Sequence, residues 1–340
     1  MNRNKDGRGS MSAWNVKEFD FPKKGKLESK IKFLIRYGIL APSGFNSQPW
    51  KFDLGEKQLI VRPDYERKRP MVDPNDREMF ISLGCAVKNV EVAAGYFGLI
   101  FDKKYLDDQV VFEFKEGEKL SENKEMFGAI VNRATYRGEY KTKKIPKEII
   151  KIISKDDDLE IFADQESKNK LAEIVYGSNK VWYKSKELVE ELDYWLTDDL
   201  RGREGGIPTG ILNLYKIAIS FRQFLSKENP EVEIKAQREK GLIEKSPVLL
   251  ILKSNEDKIA DWIKAGEKFE ELSLELTTKG ISAGFFNTVI QLKTQRKKLE
   301  GLIKNKKNAQ LLIRIGYPKE IVSKSPRREL KSFYEPTTIH

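Results

Sequence analysis

Two stretches of this chain share a pattern: MFISLGCAVKNVEVAAGYFG, ending at Gly98, and DWIKAGEKFEELSLELTTKG, ending at Gly280. Ile81, Gly84 and Gly98 of the first match Ile263, Gly266 and Gly280 of the second, each 182 positions on, and Phe80 matches Trp262. Apolar positions such as Val87/Phe269 and Val90/Leu272 keep step at helical spacing. A mid-helix glycine costs about 1 kcal/mol relative to alanine, so Gly84 and Gly266 predict a close approach of the two helices across a pseudo-two-fold axis. Such a repeat confines the chain to folds of two similar halves, with a ligand site expected at the axis between them.

The rest of the sequence sorts around these helices. Leu27, Ile31, Leu34 and Ile35 mark a helix over 25–41, which runs into the turn APSGFNSQPW at 41–50. WKFDLGEKQLIVRPD then reads as a hairpin around Gly55. DPNDRE at 73–78 reads as a turn and helix start, with Asp73 or Asp76 as the cap of the helix over 76–98. In the second part, helical patterns cover 146–154, 166–195 and 258–279, and SPVLLILK at 246–253 is strand-like. The expected division is an N-terminal extension over 1–24, a first half over 25–125, a second half over 126–332 and a tail over 333–340. An insertion over about 185–245 in the second half is a candidate lid, and REGGIPTG at 203–210 within it is either a loop over the site or, at least equally, a plain solvent loop.

Composition removes several kinds of chemistry. The only histidine is His340, and the only cysteine is Cys85, so His-based triads, Cys/His dyads and His/Cys zinc sites lack their parts. The acids of DPNDRE lack the spacing of an EF-hand, and no metal site is expected. A net charge of +11 is spread over 63 basic and 52 acidic residues without a nucleic-acid-binding motif, so a lysine-rich solvated surface or an anionic small ligand is favoured over nucleic acid. No apolar run is long enough to cross a bilayer, and MNRNKDGRGS lacks the apolar core of a signal peptide, so no membrane association and a cytoplasmic location are expected.

APSGFNSQPWKF, NRATYR at 132–137, LLIRIGYP at 311–318 and SPRREL at 325–330 occur in that order, and DPNDREMFISLGCAVKNVEVAA lies between the first two. Together they resemble the APSxxNxQPWxF signature, the phosphate-binding RRSxR and the closing strand with arginine tail of the FMN-dependent nitroreductase superfamily. The likeness runs from about residue 25 to 332, and the duplicated single-chain layout resembles the Acg-like subgroup. The resemblance implies an α+β fold, an α/β/α sandwich. It would be duplicated in one chain as a pseudo-dimer, with mixed or antiparallel sheets around long central helices. It also implies FMN as cofactor and NAD(P)H as transient electron donor. Arg133, Thr135, Arg137, Arg327 and Arg328 would hold the phosphate, because guanidinium forks match its oxyanions. Pro42, Ser43, Asn46, Gln48, Pro49 and Trp50 would contact the flavin ring, and Asn287 and Thr288, in GFFNTVIQ, would lie near its reactive edge. From residue type alone, Trp50 and Phe52 suit a core equally well.

The halves are unequal. The first carries APSxxNxQPW without RRSxR; the second carries the Arg/Thr/Arg stretch but runs from its helix at 146–154 into KDDDLEIF. One complete site, hence one FMN per chain, is expected in a monomer or weak homodimer. The function implied is two-electron reduction of a nitroaromatic or quinone-like small molecule, with the chemistry carried by FMN and no catalytic side chain assigned. The alternative is a non-catalytic protein that stores or sequesters FMN beneath the lid. A third option is a dehydrogenase acting on a peptide or another protein.

Overall fold

In the computed structural model, which describes residues 9–118, 124–197, 205–208 and 230–335, short 3-10 turns precede α1 (Leu27–Gly38). The chain continues through β1 (Trp50–Leu54), β2 (Gln58–Pro63), α2 (Arg77–Phe97), β3 (Leu99–Leu106), β4 (Gln109–Glu116) and α3 (Lys124–Asn132). Next come α4 (Lys147–Ile153), β5 (Leu159–Phe162), α5 (Gln165–Trp182), α6 (Lys186–Trp195), β6 (Leu196–Thr197), β7 (Ile207–Pro208) and α7 (Pro230–Glu244). The last elements are β8 (Val248–Ser254), α8 (Ile259–Thr278), β9 (Ser282–Phe285), α9 (Thr288–Gln291), α10 (Lys293–Glu300), β10 (Asn308–Gly316) and β11 (Tyr334–Glu335). The fold is thus a mixture of helices and largely antiparallel sheet. Residues 1–8, His340 with the end of the tail, the ends of REGGIPTG and residues 209–229 of the insertion lie outside the described residues.

At the centre, α2 and α8 meet at their glycines. A methyl group on Gly84 would lie 1.9 Å from the Ile263 carbonyl oxygen, and one on Gly266 would lie 1.9 Å from the Ile81 carbonyl oxygen. Only hydrogen fits at either place, so the glycines set how closely the two backbones approach. Phe80 and Trp262 stack beside this crossing with ring centres 6.1 Å apart. Ile81, Leu83, Val87, Ile263 and Leu274 are buried around it, which is why so much of each helix is apolar.

The two sheets have related orders. One reads β11-β1-β2-β4-β3 and the other β5-β8-β10-β9. Leaving out β11, the four strands of each sheet, numbered in chain order, stand first-second-fourth-third. The β1/β2 hairpin closes where Gly55 N–H donates to the Gln58 carbonyl at 2.9 Å. β11 pairs in parallel with β1, so the end of the chain returns to cover an edge of the first sheet.

Two local outcomes refine the sequence reading. The helix expected over 166–195 is two helices, because Ser185 turns to an extended backbone and its hydroxyl accepts from Leu188 N–H at 3.4 Å, capping α6. At the start of α2, Asp73 accepts from Met79 N–H at 2.9 Å. Asp76, at the junction with a left-handed φ of 59°, makes no cap bond and pairs with Lys68 at 2.7 Å.

Candidate functional site

APSGFNSQPW leaves α1 through a strained loop. Phe45, Asn46 and Gln48 all adopt positive φ, of 52°, 54° and 52°, a region that costs a side-chain-bearing residue about 1 kcal/mol or more. Buried side chains hold the loop there. Asn46 Nδ2 donates to the carbonyls of Gly206 at 2.8 Å and Pro326 at 2.9 Å, while its Oδ1 accepts from Arg327 at 2.9 Å. Gln48 Nε2 donates to the Asn46 carbonyl at 3.2 Å, its Oε1 accepts from Arg328 N–H at 2.9 Å, and its N–H donates to Ser43 Oγ at 2.9 Å. Trp50 is fully buried, stacked on Phe333 with centres 6.4 Å apart, and the Pro49 carbonyl accepts from Asp64 N–H. Asn46, Gln48 and Trp50 join the loop to the C-terminal segment and Pro49 joins it to the end of the β1/β2 hairpin; none of the four lines the cavity described below.

Three of the five candidate phosphate residues have similar employment. Arg327 donates to the carbonyls of Ile39, Leu40 and Ala41 at 2.9–3.0 Å and to Asn46, so its guanidinium closes the C-terminal end of α1. Arg133 donates to the Leu40 carbonyl at 2.9 Å and lies 3.1 Å from Glu270. Arg328 pairs with Asp64 at 3.1 Å and donates to the Ser332 carbonyl at 3.0 Å. Burial first, then Arg133, pushes Arg327 down to about 9. Carbonyls near a helix C-terminus need donors, and arginine supplies them.

The remaining predicted residues converge on one cavity of about 300 Å³. Pro42 and Ser43, after α1, form part of its wall; Thr135 and Arg137, after α3, and Asn287 and Thr288, after β9, form another part. Arg137's only hydrogen bond among the described residues is a long one, 3.4 Å to the Thr135 carbonyl. Burial, then Arg133 and Arg314, lower its pKa to about 10. Asn287 Oδ1 accepts from Leu312 N–H at 3.1 Å and Thr288 Oγ1 donates to Asn179 at 2.5 Å, so both are fixed by neighbours.

The cavity also holds residues that sequence reading missed. Arg314 on β10 is 2% exposed, donates to the Tyr136 carbonyl at 3.2 Å and leaves Nη1 with no partner among the described residues. No carboxylate pairs with Arg137 or Arg314 among the described residues, and burial lowers the pKa of Arg314 too. The available signal was a cation inside the apolar run LLIRIGYP. Arg69 and Glu78 form an ion pair at 2.9 Å on another wall, and Gln291 donates to Glu78 at 3.0 Å. Burial opposes the Glu78 charge, but Arg69 and Arg77 outweigh it and hold this carboxyl below its usual range. Trp182 of α5, Leu192 of α6, Ile207 of β7 and Leu242 of α7 form a further wall of the cavity, its roof. Apolar walls with a few converging cations suit a planar anionic ligand. No group of three possible metal-ligating side chains and no helix long and apolar enough to cross a membrane occurs among the described residues.

No family model matches this chain. The uncharacterized proteins Rv3127 and MT3212, from two strains of Mycobacterium tuberculosis, are each 23% identical over 330 residues, covering 89% of this chain and 92% of their own length. Among solved structures, a nitroreductase-like family protein from Bacillus cereus matches 63% of this chain and 96% of its own at 11% identity and a TM-score of 0.37. The FMN-dependent nitroreductase NfnB from Mycobacterium smegmatis, in complex with NADPH, matches 60% and 94% at 15% identity and a TM-score of 0.34. A nitroreductase with bound FMN from Desulfitobacterium hafniense matches 64% and 98% at 10% identity and a TM-score of 0.36.

Proposed function

We propose that the cavity binds FMN and that the protein is an oxidoreductase passing two electrons from NAD(P)H to a nitroaromatic or quinone-like small molecule. The observation that carries this reading is the pair Arg137 and Arg314: two cations at the cavity, neither in an ion pair with a carboxylate among the described residues, one with an Nη1 that has no partner there. A buried cation without a counter-ion is costly, and a phosphate would supply both the charge and the acceptors. The residues present therefore fit the phosphate end of the cofactor, and the apolar walls fit a flat ring. When bound, FMN supplies the redox chemistry, accepting hydride equivalents from one molecule and passing them to another.

The chain's own part is to bind and orient. Arg137 and Arg314 fix the anionic end, with the Thr135 backbone holding Arg137 in place. Pro42 and Ser43 set the position of the wall opposite, and Asn46, Gln48, Arg327 and Arg328 keep that loop in its strained form. Side chains of α5, α6 and α7 would cover one side of the ligand.

The duplicated pseudo-dimer belongs to the same proposal. Its support is the shared strand order, the reciprocal Gly84/Gly266 contact and the constant 182-residue offset. It implies one FMN per chain and a monomer or weak homodimer, with halves over 25–125 and 126–332. The roof favours a second reading, an FMN storage protein whose flavin is closed off from reductant.

Flavin released from the purified protein by heating should approach one FMN per chain, and Arg137→Ala and Arg314→Ala should each fold but lose most of the yellow colour. Loss of one or two charge-assisted bonds, about 1.5–3 kcal/mol each, corresponds to at least tenfold weaker binding. A colourless wild-type protein that takes up no added FMN, or two fully yellow variants, would overturn the reading. Anaerobic bleaching by NADH or NADPH supports the enzyme. Bleaching by dithionite alone supports storage.

A further inference from the structure

The roof adds a second cationic place to the cavity. Lys235, on α7, lines it with 9% of its surface exposed. Among the described residues its ammonium has no hydrogen-bond or ion-pair partner, and it stands 3.8 Å from the centre of the Tyr183 ring. Glu239, one helical turn on, is otherwise engaged: it accepts from the Tyr183 hydroxyl at 3.0 Å and from Asn179 Nδ2 at 2.7 Å. Burial pushes the lysine below its usual range while Glu239 opposes that fall and Arg238 adds to it. The charges acting on Arg137 are instead those of Arg133 and Arg314. Glu239 acts on Arg314 as well, so the two cationic places stand on different elements of one cavity, β10 and α7, with a carboxylate common to both.

A lysine is seldom buried without an acceptor: the Tyr183 ring face returns part of the lost hydration, but the ammonium N–H donors stay unpaired among the described residues. An oxyanion on an incoming ligand would restore up to three hydrogen bonds. Trp182, Tyr183, Phe285 and Phe286 surround the same space, so the body of that ligand is expected to be flat and apolar.

We propose that Lys235 binds a carboxylate on the planar electron acceptor, so that the protein prefers anionic aromatic acceptors to neutral ones of the same shape. The proposal rests on the flavin reading of this cavity. A nucleotide phosphate offers the same oxyanion chemistry, and the test separates the two sources.

The full chain, as purified, would be titrated with 4-nitrobenzoate and with neutral 4-nitrobenzyl alcohol, following tryptophan fluorescence. The carboxylate should bind about tenfold tighter or better, the worth of one charge-assisted contact. Lys235→Met should bring the two ligands within about twofold of each other, and Lys235→Arg should keep the preference. Thermal unfolding and bound flavin are measured on each variant, and Lys235→Gln replaces Lys235→Met if the latter does not fold. Equal affinities in the wild type, or a preference that survives in a folded variant without the cation, would overturn the proposal. So would a Lys235 effect confined to NADPH against NADH. A colourless protein that still prefers the carboxylate would overturn the flavin reading but support the anion subsite; a yellow protein without the preference would overturn the subsite alone.

Discussion

The two sides of the central helix pair use matching positions in opposite ways. Cys85, Phe285 and Asn287 line the cavity; the residues 182 positions from them are Glu267, Lys103 and Tyr105. There Lys103 pairs with Glu267 at 2.9 Å and with Glu91, the Tyr105 hydroxyl donates to Glu267 at 2.8 Å, and Lys264 lies 5.4 Å from the Tyr105 ring. A thiol, a phenyl ring and an amide leave room beside α2. A carboxylate, an ammonium and a phenol draw together beside α8 and close the equivalent space. The same offset thus leads to a cavity on one side and a salt-bridged cluster on the other, the asymmetry expected if the proposed single ligand occupies the first.

The largest expected effect breaks what both sides share. Gly84→Ala and Gly266→Ala each place a methyl group 1.9 Å from a backbone carbonyl oxygen that cannot swing aside. The helices must separate, and overpacking of this kind outweighs the better helix propensity of alanine. Each variant should lose about 3 kcal/mol or more in urea unfolding, and the two losses should agree closely. A well-tolerated substitution at one glycine alone would show that the contact is not reciprocal.

Next comes a charge difference at one shared position. Lys88 of α2 is 182 residues from Glu270 of α8. Lys88 lies near the surface and pairs with Glu91 at 2.8 Å. Glu270 is fully buried, and burial raises its pKa to about 7, against the pull of Arg133 and Arg327. The folded state thus holds this proton more tightly than the unfolded chain does. Its contribution to stability is retained below the unfolded carboxyl pKa and is lost as pH rises through about 7. The fall should amount to roughly 3 kcal/mol at most. Glu270→Gln, which cannot titrate, should flatten the stability profile between pH 5 and pH 8, and an unchanged slope in urea unfolding would reject the assignment.

What could be read from the sequence depended on how local its cause was. The seam between α2 and α8 was legible because a mid-helix glycine has a local cost that only a close neighbour explains, and the hairpin at Gly55 because two residues around it settle the turn. The roles of Asn46 and Gln48 were not, since their partners are Gly206, Pro326, Arg327 and Arg328, far along the chain. Arg133 and Arg137 are four residues apart in NRATYR, yet one closes a helix end and the other lines the cavity. That separation depends on the Leu40 carbonyl and Glu270, which no motif displays. Arg314 was visible as a cation in an apolar strand, but Lys235 and Glu239 lie in the insertion over 185–245, where no helical pattern or motif marked them.

The contrast between cluster and cavity can be sharpened at a single matched pair. Lys103→Met removes the cation shared by Glu91 and Glu267, at 11% and 10% side-chain exposure, leaving Glu91 with Lys88 and Glu267 with only the Tyr105 hydroxyl among the described residues. It should cost about 2 kcal/mol near pH 8 and less near pH 5, where the raised pKa of Glu267 lets it take up a proton. Flavin content should not change. Phe285→Leu alters the matching position on the cavity side, where the ring packs on Phe269 with centres 4.8 Å apart. Leucine keeps that contact in part, and the wall already faces open volume, so the loss should be only about 1 kcal/mol. Because this wall faces the proposed ligand, its effect should appear in binding: a flat aromatic loses its stacking surface, and 4-nitrobenzoate affinity in the fluorescence titration should fall about threefold. If Phe285→Leu instead destabilised the fold as much as Lys103→Met and left ligand affinity intact, the position would be a packing site on both sides, and the division into cavity and cluster would fail.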